Sequence, residues 1–155
     1  MEWFIYNLPE ILTVIGIAMS VVFSGAGSAT GAAMISKAAV ALVSEQPEKF
    51  GKSLVLQMMS ASQGLYGFII GFLIFMSLVD PAPITFSEAL RFLGAGSIMG
   101  LAGYFTSIQQ SIAATAGMQI LAKKPEHFTK GIMYSAMIET FAIFAFVVSM
   151  LILVM

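Results

Sequence analysis

GIMYSAMIETFAIFAFVVSMLILVM, residues Gly131 to Met155, decides how the rest of this chain is read. The stretch is apolar almost throughout and carries one charge, Glu139, deep inside it. It is longer than the about 20 residues a helix needs to cross a hydrocarbon core. A charge near the middle of a membrane costs roughly 2.5–3.5 kcal/mol on insertion scales and more by other measures, so a residue of this kind is retained for a task. The reading it invites is a carboxylate that carries an ion or a proton.

The bulk composition agrees. Of 155 residues, 59% are hydrophobic and 10% charged, where a soluble domain has about 25% charged. The formal net charge of −1 gives no basic surface for nucleic acid. With no cysteine there is no thiolate metal site. Met1-Glu2-Trp3-Phe4 is acidic rather than basic, which argues against a cleaved leader, so the first apolar segment is expected to stay as a membrane helix. Uncharged runs cover Ile11–Ser36, Ser53–Val79, Phe92–Ala122 and, Glu139 apart, Gly131–Met155. The pattern predicts an all-α membrane protein of four transmembrane helices, since backbone polar groups in lipid must be satisfied within helices. Pro47 and Pro125 suit first helical turns, each followed by an acid (Glu48, Glu126) that complements the helix dipole. Asp80-Pro81-Ala82-Pro83 breaks the chain at its middle, and Trp3 and Tyr6 suit an interfacial belt.

The halves repeat with an offset of 78 residues: Pro47-Glu48-Lys49-Phe50-Gly51-Lys52 matches Pro125-Glu126-His127-Phe128-Thr129-Lys130, Gly25 pairs with Gly103, and Phe68 with Phe146. Residues 1–79 are expected to form one helical hairpin, with membrane helices at about 11–43 and 50–79. Residues 80–155 form the second, with helices at about 86–122 and 128–155. Both polar loops then face one side of the membrane, unlike inverted transporter repeats. The copies differ at the polar positions: Glu139 corresponds to Ala61 and Gln110 to Ala32. Lys49, Lys52, Lys123, Lys124 and Lys130 flank the two loops, which places those loops in the cytoplasm and both termini outside. Lys37 is close enough to snorkel towards the first loop.

With the loops as a ruler, Glu139 lies about 16 Å below Phe128 at 1.5 Å per residue. Ser62 and Gln63 lie about 18–20 Å below Phe50, and Gln110 about 20 Å from Lys123. Three helices thus bring oxygen-bearing side chains to one depth, where unpartnered polar groups are costly. Met59, Ser62, Gln63 and Tyr66 share one helix face. One negative charge among neutral oxygens suits a single monovalent cation, because hard cations take oxygen ligands. Without a cation, the carboxylate is expected to bind a proton instead. Gln109 and Thr140 point about 100° away from their neighbours in this cluster.

Small residues stripe the first helix (Gly16, Ser20, Ser24, Gly27, Gly31) and the third (Gly96, Gly100, Gly103, Ser107), so these two are expected to approach closely. They are candidates for the inner side of a ring of many copies. Gly51-Lys52-Ser53 imitates the end of a phosphate-binding loop, but Gln46 stands where that pattern needs glycine and no strand precedes it. No ATP site is expected.

These residues together resemble a family. The duplicated hairpin, Ile138-Glu139-Thr140, Gly64-Leu65-Tyr66-Gly67, Gln46-Pro47-Glu48-Lys49-Phe50-Gly51 and Leu121-Ala122-Lys123-Lys124-Pro125-Glu126-His127 are similar to the proteolipid (K, or c-type) subunits of bacterial sodium-transporting V-type ATPases, over essentially the whole chain. The resemblance implies a cell-membrane rotor ring of many copies, set in lipid. It implies contact with stator and central-stalk subunits, and rotation driven by ATP hydrolysis in a separate soluble sector. It also implies an Na⁺ site made by Glu139, Gln110, Gln63, Ser62 and the Met59 backbone carbonyl, with Tyr66 hydrogen-bonded to the glutamate. Two positions depart from the family pattern: Ser62 stands where threonine is usual, and Met58-Met59-Ser60-Ala61 lacks the usual proline and glycine. H⁺ as the carried ion, and a passive pore built of four-helix units, are the alternative functions.

Overall fold

The computed structural model describes residues 2–79 and 82–155. Met1, Asp80 and Pro81, and the side chains of Glu2 and Trp3, lie outside the described residues, and with them part of the expected mid-chain break and the interfacial reading of Trp3. Among the described residues every element is helical, and the helices make four rods. The first rod joins α1 (Glu2–Ala18) to α2 (Ser24–Glu45) through one π-helical turn, Met19–Phe23. The second comprises α3 (Phe50–Met58) and α4 (Ser62–Val79). The third is α5 (Phe86–Lys123) and the fourth α6 (Phe128–Val154).

The repeat is visible in the loops. Gln46 (φ −136°, ψ 72°) and Lys124 (φ −143°, ψ 70°) leave their helices in the same conformation. Each is followed by a 3₁₀ turn opened by a proline, Pro47–Lys49 or Pro125–His127, where the missing N–H costs nothing. The ammonium of Lys49 donates to the Ala122 carbonyl at 2.8 Å, so the loops sit side by side at one end of the bundle. Gly51-Lys52-Ser53 is the start of α3, not a phosphate loop. At the opposite end Thr85 caps α5: its hydroxyl accepts from the Glu88 N–H, and the Glu88 carboxylate accepts from the Thr85 N–H at 2.8 Å.

Among the described residues, three rods are long and apolar enough to cross a membrane: Phe4–Glu45, Pro47–Val79 and Pro125–Val154. The fourth expected span, α5, is 38 residues long but less apolar because glycines, serines and glutamines interrupt it. Its setting explains this. Ala89, Ala95, Met99, Ser107, Gln110, Ala114 and Leu121 are all fully buried, so α5 meets protein where the others meet lipid.

The glycine stripes set the separation of the rods. A Cβ on Gly96 would lie 2.0 Å from the Gly16 carbonyl oxygen, and one on Gly27 would lie 2.6 Å from the Tyr104 Cα. The first and third rods therefore touch backbone to backbone, as their stripes predict. Short hydroxyls bridge these and the other pairs of rods. Ser20 donates to the Gly67 carbonyl (2.7 Å), Ser24 to that of Met99 (3.2 Å) and Ser149 to that of Ala95 (2.9 Å). Two apolar clusters fill the ends, one around Ile35, Leu56, Met118 and Leu121, the other around Ile70, Ile74 and Met99.

Gly96→Ala should destabilise the protein in detergent by at least about 1–3 kcal/mol, the usual cost of overpacking, because backbone rather than a mobile side chain blocks the new methyl. Gly94→Ala, two residues away with nothing within 4 Å of its Cβ site, should be neutral or slightly stabilising. Thermal unfolding of the two variants side by side checks this, and equal melting would show that the backbone contact is not tight.

Candidate functional site

The second rod breaks at Met59–Ala61, between α3 and α4. Across the break the Met59 N–H donates to Leu56 (3.3 Å), the Ala61 N–H to Met58 (3.0 Å) and the Leu65 N–H to Ala61 (3.3 Å). The normal helical bond from Gly64 N–H to the Ser60 carbonyl is not made. The Gly64 N–H instead donates to the Ser28 hydroxyl at 2.8 Å, and the Ser60 carbonyl accepts from the Ser107 hydroxyl at 3.1 Å. Among the described hydrogen bonds across the break, none uses the Met59 carbonyl.

Below the break the expected polar residues meet. The Tyr66 hydroxyl donates to Glu139 Oε1 at 2.9 Å. Gln110 Nε2 lies 3.4 Å from Glu139 Oε2, Gln63 Nε2 donates to Gln110 Oε1, and the Ser62 hydroxyl lies 3.4 Å from Gln63 Oε1. Five side chains from three rods thus form one continuous network, and the depths reckoned along separate helices coincide. Gln63 and Gln110 are 0% exposed, while Glu139 and Tyr66 are half-buried. Met59 lies at the break, and among the described hydrogen bonds none joins it to the other five. Gln109 and Thr140, set about 100° round their helices, are exposed and outside the network.

The fold fixes each member. Tyr66 is held by Phe146 of α6, ring centroids 5.2 Å apart. The Ser135 hydroxyl, one turn before Glu139, donates to the Gln110 backbone carbonyl at 3.2 Å and ties α6 to α5 beside the carboxylate. Outward from Glu139 the surface is apolar: Met137, Phe141 and Phe144 are each 60% exposed or more. Chemically, the site offers one carboxylate, two amides and two hydroxyls, with the amides enclosed in the seam and the carboxylate at its half-buried outer edge.

Phe146, Ser28, Ser107 and Ser135 were not singled out from sequence as site-supporting residues. The periodic signal for Ser107 was its place in the small-residue stripe, which speaks of packing and not of a hydrogen bond across rods.

The arrangement is that of a duplicated helical membrane unit with one carboxylate held in an amide and hydroxyl network. The family model for the C subunit of ATP synthase matches twice, at residues 15–74 and 93–152, with the same 78-residue displacement at both ends. The chain belongs to that family. It is 49% identical over 145 residues to the V-type sodium ATPase subunit K of Enterococcus hirae, covering 94% of this chain and 92% of that one. The A-type ATP synthase subunit K of Methanocaldococcus jannaschii is 35% identical over 146 residues, covering 94% of this chain and 63% of the relative. The 16 kDa proteolipid of the V-type proton ATPase of Rattus norvegicus is 29% identical over 150 residues, covering 95% and 96%.

Tyr66→Phe keeps the ring on Phe146 and removes only the O–H donated to Glu139. In a detergent unfolding assay it should cost about 0.6 kcal/mol and at most about 1.7, the range for hydrogen bonds between membrane helices. An unchanged unfolding free energy would show that this O–H contributes nothing to the fold.

Proposed function

We propose that this chain is the ion-carrying rotor subunit of a V-type rotary ATPase. Copies of it close a ring in the cell membrane, and each carries Na⁺ on Glu139, Gln110, Gln63, Ser62 and the Met59 carbonyl, with Tyr66 steadying the carboxylate. The observation that supports this best is the unbroken network from Tyr66 through Glu139 and Gln110 to Gln63 and Ser62, gathered round one acid in an apolar zone. Its oxygens suit a hard cation. Turning the Gln63 amide about its soft terminal torsion exchanges its NH₂ for an oxygen, so the hydrogen-bonded arrangement converts to a ligand set without moving a helix.

Family membership leaves the ion open, because relatives are named for sodium and for protons. Two features favour Na⁺. The 49% identical relative is named for sodium, and a proton needs only the carboxylate and one partner, whereas two amides and a further hydroxyl stand ready here.

The physics of transport follows from the position of Glu139. A bare carboxylate facing lipid is prohibitive, so the site can travel through the bilayer only when a cation neutralises it. At the stator, a basic side chain competes for the emptied carboxylate and releases the ion. Each charge moved against 100 mV costs about 2.3 kcal/mol, which ATP hydrolysis in the soluble sector supplies. The lysine-flanked loops face the cytoplasm and the central stalk, and both termini lie outside.

A lipid-soluble carbodiimide should label Glu139, and Na⁺ should slow that labelling. Gln110→Leu or Gln63→Leu should raise the Na⁺ concentration for half-protection by about 10–100-fold, the usual cost of disturbing a metal's surroundings. Na⁺ and H⁺ compete for one carboxylate. Absence of Na⁺ protection, together with ATPase activity indifferent to Na⁺, would transfer the role to H⁺. Imaging of the purified assembly tests the ring itself.

A further inference from the structure

The break in the second rod has no local cause in its own sequence. Met58-Met59-Ser60-Ala61 contains neither proline nor glycine, and the Ser60 hydroxyl is buried without a hydrogen-bond partner. What holds the break open comes from the other rods. An uninterrupted helix would join the Gly64 N–H to the Ser60 carbonyl. Here that bond is split in two: Ser28 of the first rod takes the N–H at 2.8 Å, and Ser107 of the third takes the carbonyl at 3.1 Å. Each hydroxyl satisfies one half of a bond whose closure would re-form the helix and draw the neighbouring Met59 carbonyl back to the Gln63 N–H.

We propose that Ser28 and Ser107 are positioning residues for the ion site, wedging the second rod open so that the Met59 carbonyl stays available as a ligand. This rests on the reading of Glu139 and its neighbours as a cation site. The geometry suits the task. Ser107 and Ser60 are fully buried, so no water can take over either half of the bond. Gly64 has the Ser28 hydroxyl only 3.0 Å from its Cβ site, so a side chain at this position would crowd the serine. Ser107 lies one turn before Gln110 on the same face of α5, and Gly64 directly follows Gln63. The wedge and the network are thus built on the same two stretches of chain.

The test uses the assembled ATPase, carbodiimide labelling of Glu139, and Na⁺ alone as protecting ion. Ser107→Ala and Ser28→Ala should each raise the half-protecting Na⁺ concentration about tenfold or more, while the labelling rate without Na⁺ stays at the wild-type value. Ser28→Thr, at a half-buried position, keeps the hydroxyl and should keep the wild-type midpoint. Ser111→Ala removes an equally buried hydroxyl that bonds only to its own helix, at the Ser107 carbonyl, and should leave the midpoint unchanged. An unshifted midpoint in either serine-to-alanine wedge variant overturns the proposal, as does an equal shift in Ser111→Ala. Loss of Na⁺-free labelling in both wedge variants also overturns it, in favour of a role in folding alone. Wild-type protein that Na⁺ does not protect refutes the cation site itself, and that outcome is distinct because it appears before any variant is made.

Discussion

Hydrocarbon holds no water to satisfy a polar atom, so every N–H, carbonyl and amide at membrane depth must find its partner within the protein. This chain meets the constraint with serines. Ser20, Ser24, Ser107, Ser135 and Ser149 each donate to a carbonyl of a different rod. A serine is short, and it reaches another rod's backbone only where the rods nearly touch. Glycines at 16, 27, 96 and 100 create that contact between the first and third rods, Gly67 between the second and the first, and Gly117 and Gly131 between the third and the fourth. Stripe and hydroxyls are therefore one device: the glycines remove the side chains that would separate the rods, and the serines take up the carbonyls this brings into range.

The same constraint shapes the polar network. Gln63 and Gln110 are fully enclosed and would be costly if unpaired. They are tolerable because each amide supplies both donors and an acceptor, so the two can pair with each other and with Glu139. On the proposed reading this gives the site two satisfied states, one in which oxygens accept from amide hydrogens and one in which they turn onto a cation. A carrier needs both, since a site that is satisfied only when loaded would not release its ion.

Much of this was legible in the sequence because two signals were strong. Charge spacing marked the rods, and a lone acid in an apolar run marked the centre of the network. The 1.5 Å rise per residue then brought Ser62, Gln63, Gln110 and Glu139 to one level, and the hydrogen bonds join them. Other features left no local trace. The break at Met59–Ala61 is imposed by residues distant in sequence, so no propensity at Met58–Ala61 announces it. The π turn at Met19–Phe23 likewise has no proline or glycine within it, and it lies where the first rod runs closest to Gly100 of the third. The modest hydropathy of α5 looks like a weak membrane signal until its neighbours are seen to cover it.

Why a duplicated chain should keep only one such site has a physical answer in how differently its two hairpins close. In the second, Gly117 and Gly131 face each other, a Cβ on Gly131 lying 2.9 Å from the Gly117 Cα, and Ser135 spans to the Gln110 carbonyl. The repeat replaces these with Ala39, Ser53, Gln57 and Ala32 in the first hairpin. There the bond at the equivalent place survives, from the Gln57 amide to the Ala32 carbonyl at 2.9 Å, but a longer side chain makes it. A cleft of about 480 Å³ lined by Ala39, Ser53 and Gln57 opens beside it. A carboxylate at Ala61 would face a wider seam with Ala32 in the place of Gln110, and the Gln57 amide one turn away is already engaged by the Ala32 carbonyl and the Ser36 hydroxyl. Narrowing the second hairpin by a glycine pair is what brings Glu139 against Gln110, so the asymmetry of packing and the asymmetry of chemistry have the same origin.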